Sequence, residues 1–120
     1  MRTKASPPNS IVAISDPSGG VIPEPPQSGS IAATSSLLVV GCLTFTDGET
    51  EFVLGNNPSV VSGESLVFDG VLETPSRAIQ VATVFDDILL RADVPTESTR
   101  VRVWTNRPVE PDRVIIGLGD

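Results

Sequence analysis

The run Ser36–Thr46 (SLLVVGCLTFT), the dipeptide Asp47-Gly48 and the return run Thr50–Leu54 (TEFVL) decide how this chain is read. The first run is apolar and β-branched, a composition that suits a pleated, half-buried strand. Gly41 inside it marks a bulge or a close backbone approach. Asp-Gly between two strand-like runs predicts a hairpin, because both turn positions accept positive φ. The same texture recurs on either side. Asp69-Gly70 is a second hairpin dipeptide, between Ser65–Phe68 and Val71-Leu72. Ala78–Phe85, Ile88–Ala92, Arg100–Thr105 and Arg113–Leu118 read as further strands. Ile11–Ile14 (IVAI), closed by the turn Asp16-Pro17-Ser18-Gly19-Gly20, reads as a first edge strand. Val84–Ala92 comes nearest to a helix, yet its Ile-Leu-Leu run suits a buried strand equally well. Turn signals every 8–12 residues or so indicate an all-β fold. The reading is a single antiparallel β-sandwich of about seven to eight short strands with little or no helix, a barrel being the alternative.

A chain of 120 residues is about one domain. Residues 1–10 hold nothing apolar enough to offset the cost of ordering them and are expected to be a disordered tail, leaving 11–120 as the sandwich. Six of the 11 prolines fall in the first 26 residues, and 21–29 reads as an extended proline-rich connection. With four Phe, one Trp and no Tyr, the core must be built mainly from Val, Ile and Leu.

Composition also excludes chemistry. Without His there is no histidine general base, no histidine-based triad and no His-ligated zinc. Cys42 is the single cysteine, so no internal disulfide forms, and its apolar surroundings make it a small buried hydrophobe. Asp47, Glu49 and Glu51 resemble a crude cation site but lack the further carboxylates and carbonyl geometry of a calcium loop. Asp86-Asp87 reads as a turn, with nothing nearby to suggest a cleft. No catalytic residue, metal or cofactor is assigned. The sequon-like Asn57-Pro58-Ser59 is blocked by its proline. Two cations near the N-terminus are followed by no apolar stretch, and Leu37–Leu43 is far too short to span a bilayer, so a soluble cytoplasmic protein is the expectation.

Charge points to a partner. The net formal charge is −7, and from Asp16 through Glu97 twelve acidic residues face only two arginines. Ser98–Asp120 holds four arginines and three acids. Such a surface argues against nucleic acid and anionic membranes and for a basic protein partner, with homo-oligomerisation left open. Asp86, Asp87, Asp93 and Glu97, around one edge region, are the candidate acidic contacts. In Arg100–Arg107 (RVRVWTNR), period-two alternation buries Val101 and Val103 and sends Arg100, Arg102 and Trp104 to the opposite face. Arg102 and Trp104 are therefore candidate partner anchors, although Trp104 could equally complete the core.

The segment Val94–Leu118 (VPTESTRVRVWTNRPVEPDRVIIGL), with support from Ile11–Asp16, resembles the competence protein J-like nuclease inhibitors and related immunity-type β-sandwich proteins. The resemblance implies inhibition by an acidic surface that competes with nucleic acid at a nuclease's basic site. The residues by themselves favour a non-catalytic acidic module that binds a basic protein such as a nuclease or toxin, and the resemblance implies an inhibitor or immunity-type protein that masks it. The second reading is a structural sandwich of a virion, tail or appendage, with residues 1–29 as an arm on a neighbouring subunit. An enzyme would have to rest on carboxylates, Ser/Thr or an oxygen-held metal, with no recognisable nucleophile-and-base spacing. A carbohydrate-binding sandwich would want more aromatic platforms than one Trp supplies.

Overall fold

The computed structural model describes residues 1–23, 31–43, 46–56, 64–107 and 109–119. Ten strands run through them in chain order: β1 (Arg2–Ala5), β2 (Ile11–Ser15), β3 (Ile31–Ala33), β4 (Leu37–Gly41), β5 (Thr50–Gly55), β6 (Ser65–Glu73), β7 (Ala78–Ala82), β8 (Ile88–Asp93), β9 (Ser98–Thr105) and β10 (Arg113–Leu118). A single 3-10 turn at Pro8–Ser10 is the one helical element among the described residues. The strands form two five-stranded sheets, ordered β1-β5-β10-β9-β6 and β3-β4-β2-β7-β8. Every pairing is antiparallel except β5 with β10, which run parallel with Glu51 opposite Arg113 and Gly55 opposite Gly117.

The all-β sandwich is as expected, with ten strands in place of seven or eight. Its core is aliphatic. Val12, Ile14, Leu38, Val40, Ile79 and Val81 from one sheet meet Leu54, Leu72, Val101, Val103, Val114 and Ile116 from the other, with Phe52 the largest fully buried side chain. Along β9 the alternation is as read: Val101 and Val103 are buried while Arg100, Arg102 and Trp104 face outward. In β10, Ile115 points away from the core yet is fully buried between its register partners Trp104 and Val53. That burial on both faces is why RVIIGL is apolar almost throughout.

Both hairpin expectations are corrected. Residues 36–46 and 50–54 do not pair: β4 lies between β2 and β3, while β5 lies between β1 and β10 in the opposite sheet. With both edges of each strand already taken, the Asp47-Gly48 segment crosses between sheets, using the positive φ of Gly48 (137°) to do so. Thr44 and Phe45 of this passage lie outside the described residues. At Asp69-Gly70 the chain does not turn at all, and β6 continues through it. The Phe68 ring packs where a Gly70 side chain would stand, 2.8 Å from the Cβ position, so Gly70 is needed for close approach and not for a turn.

The expected disordered tail is also corrected, since Arg2–Ala5 form β1 on the edge of β5. The N-terminal ammonium donates to the Leu54 carbonyl at 2.9 Å, Ala5 packs against the core, and a four-residue ladder holds the strand. Backbone pairing supplies what side-chain hydrophobicity does not. Asn9 and Ser10, both at φ 59°, then swing the chain to the other sheet. There β2 is an interior strand between β4 and β7, not an edge. Gly41 simply ends β4, and the ladder irregularities fall at Leu66/Phe68 and Val81/Ala82. Val84–Ala92 resolves into a turn followed by β8. Of the proline-rich connection, 24–29 lies outside the described residues, as does Asn57-Pro58-Ser59. No helix among the described residues is long and apolar enough to cross a membrane.

Candidate functional site

Two of the loops that switch between sheets, β1–β2 and β4–β5, lie at one end of the sandwich together with the β9–β10 turn. Cys42 N–H donates to the Ser10 carbonyl (2.8 Å), Leu43 N–H to Pro111 (2.9 Å), Glu51 N–H to Asp112 (2.8 Å), and the Ser6 hydroxyl to Gly48 (2.9 Å). These bonds tie segments 6–10, 42–49 and 106–112 together. The Thr83–Asp87 turn belongs to the same end. Val94, just beyond the far end of β8, lines the opposite end of the sandwich beside Leu118 and Gly119, so Ile88 must start at the loop end.

This end is acidic. Asp47, Glu49, Asp86, Asp87, Glu110 and Asp112 lie there against Lys4, Arg107 and Arg113. The cations are largely committed. Arg113 reaches Glu51 at 3.1 Å and Glu64 at 3.6 Å, and Arg107 reaches Asp112 at 3.9 Å while donating to the Glu110 carbonyl. Asp47, Glu49, Asp86 and Asp87 have no cation partner among the described residues. The turn that carries the last two is self-supporting: the Thr83 hydroxyl accepts from the Phe85 and Asp87 N–H groups, and Asp86 takes a φ of 62°. Its tip holds Phe85 at 71% exposure, and Val109 stands exposed in the neighbouring loop.

The four acids singled out from the sequence all flank β8, the edge strand of its sheet, but at its two ends. Asp86 and Asp87 precede it at the acidic end. Asp93 closes it and Glu97 follows, roughly 20 Å away at about 3.3 Å per residue. Arg102 and Trp104 lie elsewhere again, on the outer face of β9, with the Arg102 guanidinium 5.4 Å from the Trp104 ring centroid. Trp104 is half-buried on that face and is not a member of the core. Phe85 and Val109 were missed, although Val84-Phe85-Asp86-Asp87, an apolar pair running into an acid pair at a turn, carried the signal. Glu49 and Glu51 share a small cavity of about 300 Å³ with Lys4, Asp112 and Arg113. Among the described residues no three acidic or sulfur side chains converge to hold a metal ion. Cys42 is buried, and burial pushes its thiol up to about 11, beyond thiolate chemistry at neutral pH.

No protein-family model matches the chain, and no curated protein matches it in sequence. Among solved structures, ComJ of Bacillus subtilis, an inhibitor of the DNA-degrading activity of NucA, superposes with a TM-score of 0.65 at 11% identity. The match covers 100% of this chain and 95% of ComJ. In fold, this chain resembles ComJ. The likeness expected from Val94–Leu118 thus extends over the whole sandwich.

Proposed function

We propose that this protein is a non-catalytic, inhibitor-type binding module whose acidic loop end docks a basic protein such as a nuclease. The observation that carries this reading is that Asp47, Glu49, Asp86 and Asp87, without cation partners among the described residues, lie at the same end of the sandwich as the exposed Phe85. Loops at one end of a rigid sandwich are where such folds place recognition, and an exposed aromatic anchor followed directly by two carboxylates suits contact with a cationic surface. The ComJ-like fold supports the inhibitor class. On a basic nuclease the acidic end would occupy the surface that otherwise takes DNA phosphates.

The test is association kinetics with the basic partner recovered by native co-purification, read together with that partner's activity. The on-rate should fall at least about tenfold between roughly 0.05 and 0.5 M salt. The double variant Asp86→Lys/Asp87→Lys should lose binding and inhibition, and Asp93→Lys/Glu97→Lys should lose neither. Salt-independent binding, or equal behaviour of the two variants, would overturn the assignment.

A further inference from the structure

Although the protein is acidic overall, five of its eight basic residues, Arg2, Lys4, Arg100, Arg102 and Arg113, project from one surface, the outer face of the sheet ordered β1-β5-β10-β9-β6. Several are neutralised in place. Glu51 lies 3.1 Å from Arg113 and 3.8 Å from Arg2. Asp69 accepts from Arg100 Nε at 3.0 Å and Nη2 at 2.8 Å, a forked pair. Arg102 is different. Its register partner across β6 is Asp69, yet that carboxylate is engaged diagonally by Arg100, and no carboxylate among the described residues lies within ion-pair distance of Arg102. Arg102 Nη2 donates a long bond of 3.3 Å to the Gly119 carbonyl, while its Nε, shielded from solvent, has no acceptor. A shielded cationic donor without an acceptor is costly, and in a native protein it calls for an explanation.

This guanidinium sits beside an aromatic ring and exposed aliphatic side chains. It is held over the Trp104 ring and so is fixed in orientation. Leu66 lies opposite Trp104 and is 50% exposed; Val71 lies opposite Arg100 and is 60% exposed. We propose that this face is a second docking surface, which takes an acidic segment of a partner polypeptide. One carboxylate of the segment seats on Arg102, and apolar side chains beside it lie against Trp104 and Leu66. A polypeptide fits better than nucleic acid. One guanidinium without a carboxylate at ion-pair distance among the described residues, in a protein of net charge −7, is far from the multi-cation footprint that phosphate backbones require, whereas exposed Leu66 and Val71 match aliphatic side chains. The surface lies on a different face from the acidic loop end and takes a ligand of opposite charge, so either proposal can fail without the other.

Trp104 is the sole tryptophan and the chain has no tyrosine, so its emission reports on this site directly. The full chain is titrated with a peptide of glutamates interspersed with leucines, and in parallel with an oligolysine peptide and an oligodeoxythymidylate. The proposal expects a saturable change in Trp104 emission with the glutamate–leucine peptide, weakened by salt, and no such change with the other two. Arg102→Gln should weaken binding by about tenfold or more, with Arg102→Lys intermediate because it keeps the charge but loses the planar guanidinium held over Trp104. Leu66→Asp, on an exposed side chain, should weaken binding by like-charge repulsion even if the Arg102 variants fold poorly. Asp86→Lys/Asp87→Lys should leave the titration intact. Absence of a saturable signal, equal affinity in Arg102→Gln and Leu66→Asp, or a response to the oligonucleotide in place of the peptide would overturn it.

Discussion

Asp16 is fully buried and accepts three hydrogen bonds, from Ser18 N–H (2.8 Å), the Ser18 hydroxyl (2.6 Å) and Ser76 N–H (2.7 Å). It thereby joins the turn after β2 to the turn before β7. Burial alone would raise its carboxyl, but the hydrogen bonds from Ser18 and Ser76 outweigh that and hold it below the ordinary 3.8. Since the folded state favours the carboxylate, its contribution is complete above pH 3.8 and is lost as pH falls below that value. Asp16→Ala should cost about 2–3 kcal/mol in urea unfolding at neutral pH, because two backbone donors lose their charged acceptor. The deficit relative to the native chain should shrink at acidic pH; a deficit that stays constant down to pH values well below 3.8 would contradict this role. Close by, Gly20 shows why a glycine follows this turn, since a Cβ there would collide with the Ser36 carbonyl.

At the scale of elements, what could be read from the sequence was the period, and what could not was the partner. Alternation in Arg100–Thr105 and the apolar run Arg113–Leu118 identified β9 and β10 because inward and outward side chains differ in kind there. Asp47-Gly48 and Asp69-Gly70 misled because a dipeptide describes local φ preference, while pairing depends on which strand edges remain free and on what a neighbouring ring needs. β1 was invisible for a related reason. Arg2-Thr3-Lys4-Ala5 carries almost no apolar signal, and its order comes from the open edge of β5 and a cross-strand Glu51. At the candidate site, the acid pair Asp86-Asp87 was legible as a turn, but its placement at the same end as Asp47 and Glu49 depends on pairings between strands far apart in sequence. Deleting residues 1–5 should therefore lower the melting temperature and leave β5 as an exposed edge. Concentration-dependent self-association in sedimentation would be its signature, because an unpaired edge templates another chain. Unchanged melting and a strictly monomeric truncation would show β1 to be dispensable.

Across the whole molecule, charge and topology are distributed unevenly. Acids without cation partners among the described residues lie at the loop end, and cations collect on one sheet face, so the net charge of −7 describes neither surface. Topology is equally lopsided: the β5–β10 register joins Glu51 to Arg113, 62 residues apart, and neither hairpin suggested by the sequence exists to bring distant segments together early. Refolding followed by Trp104 emission should accordingly fall in the range of milliseconds to seconds, and a microsecond phase carrying the full amplitude would contradict this topology. The central place of β10 has a consequence for synthesis. Until Arg113–Leu118 leave the ribosome, β5 and β9 have no common neighbour and the inner face of their sheet lacks Val114 and Ile116. Nascent chains stalled short of that segment would present two open strand edges to chaperones and proteases, and the sheet would close only when β10 pairs with both.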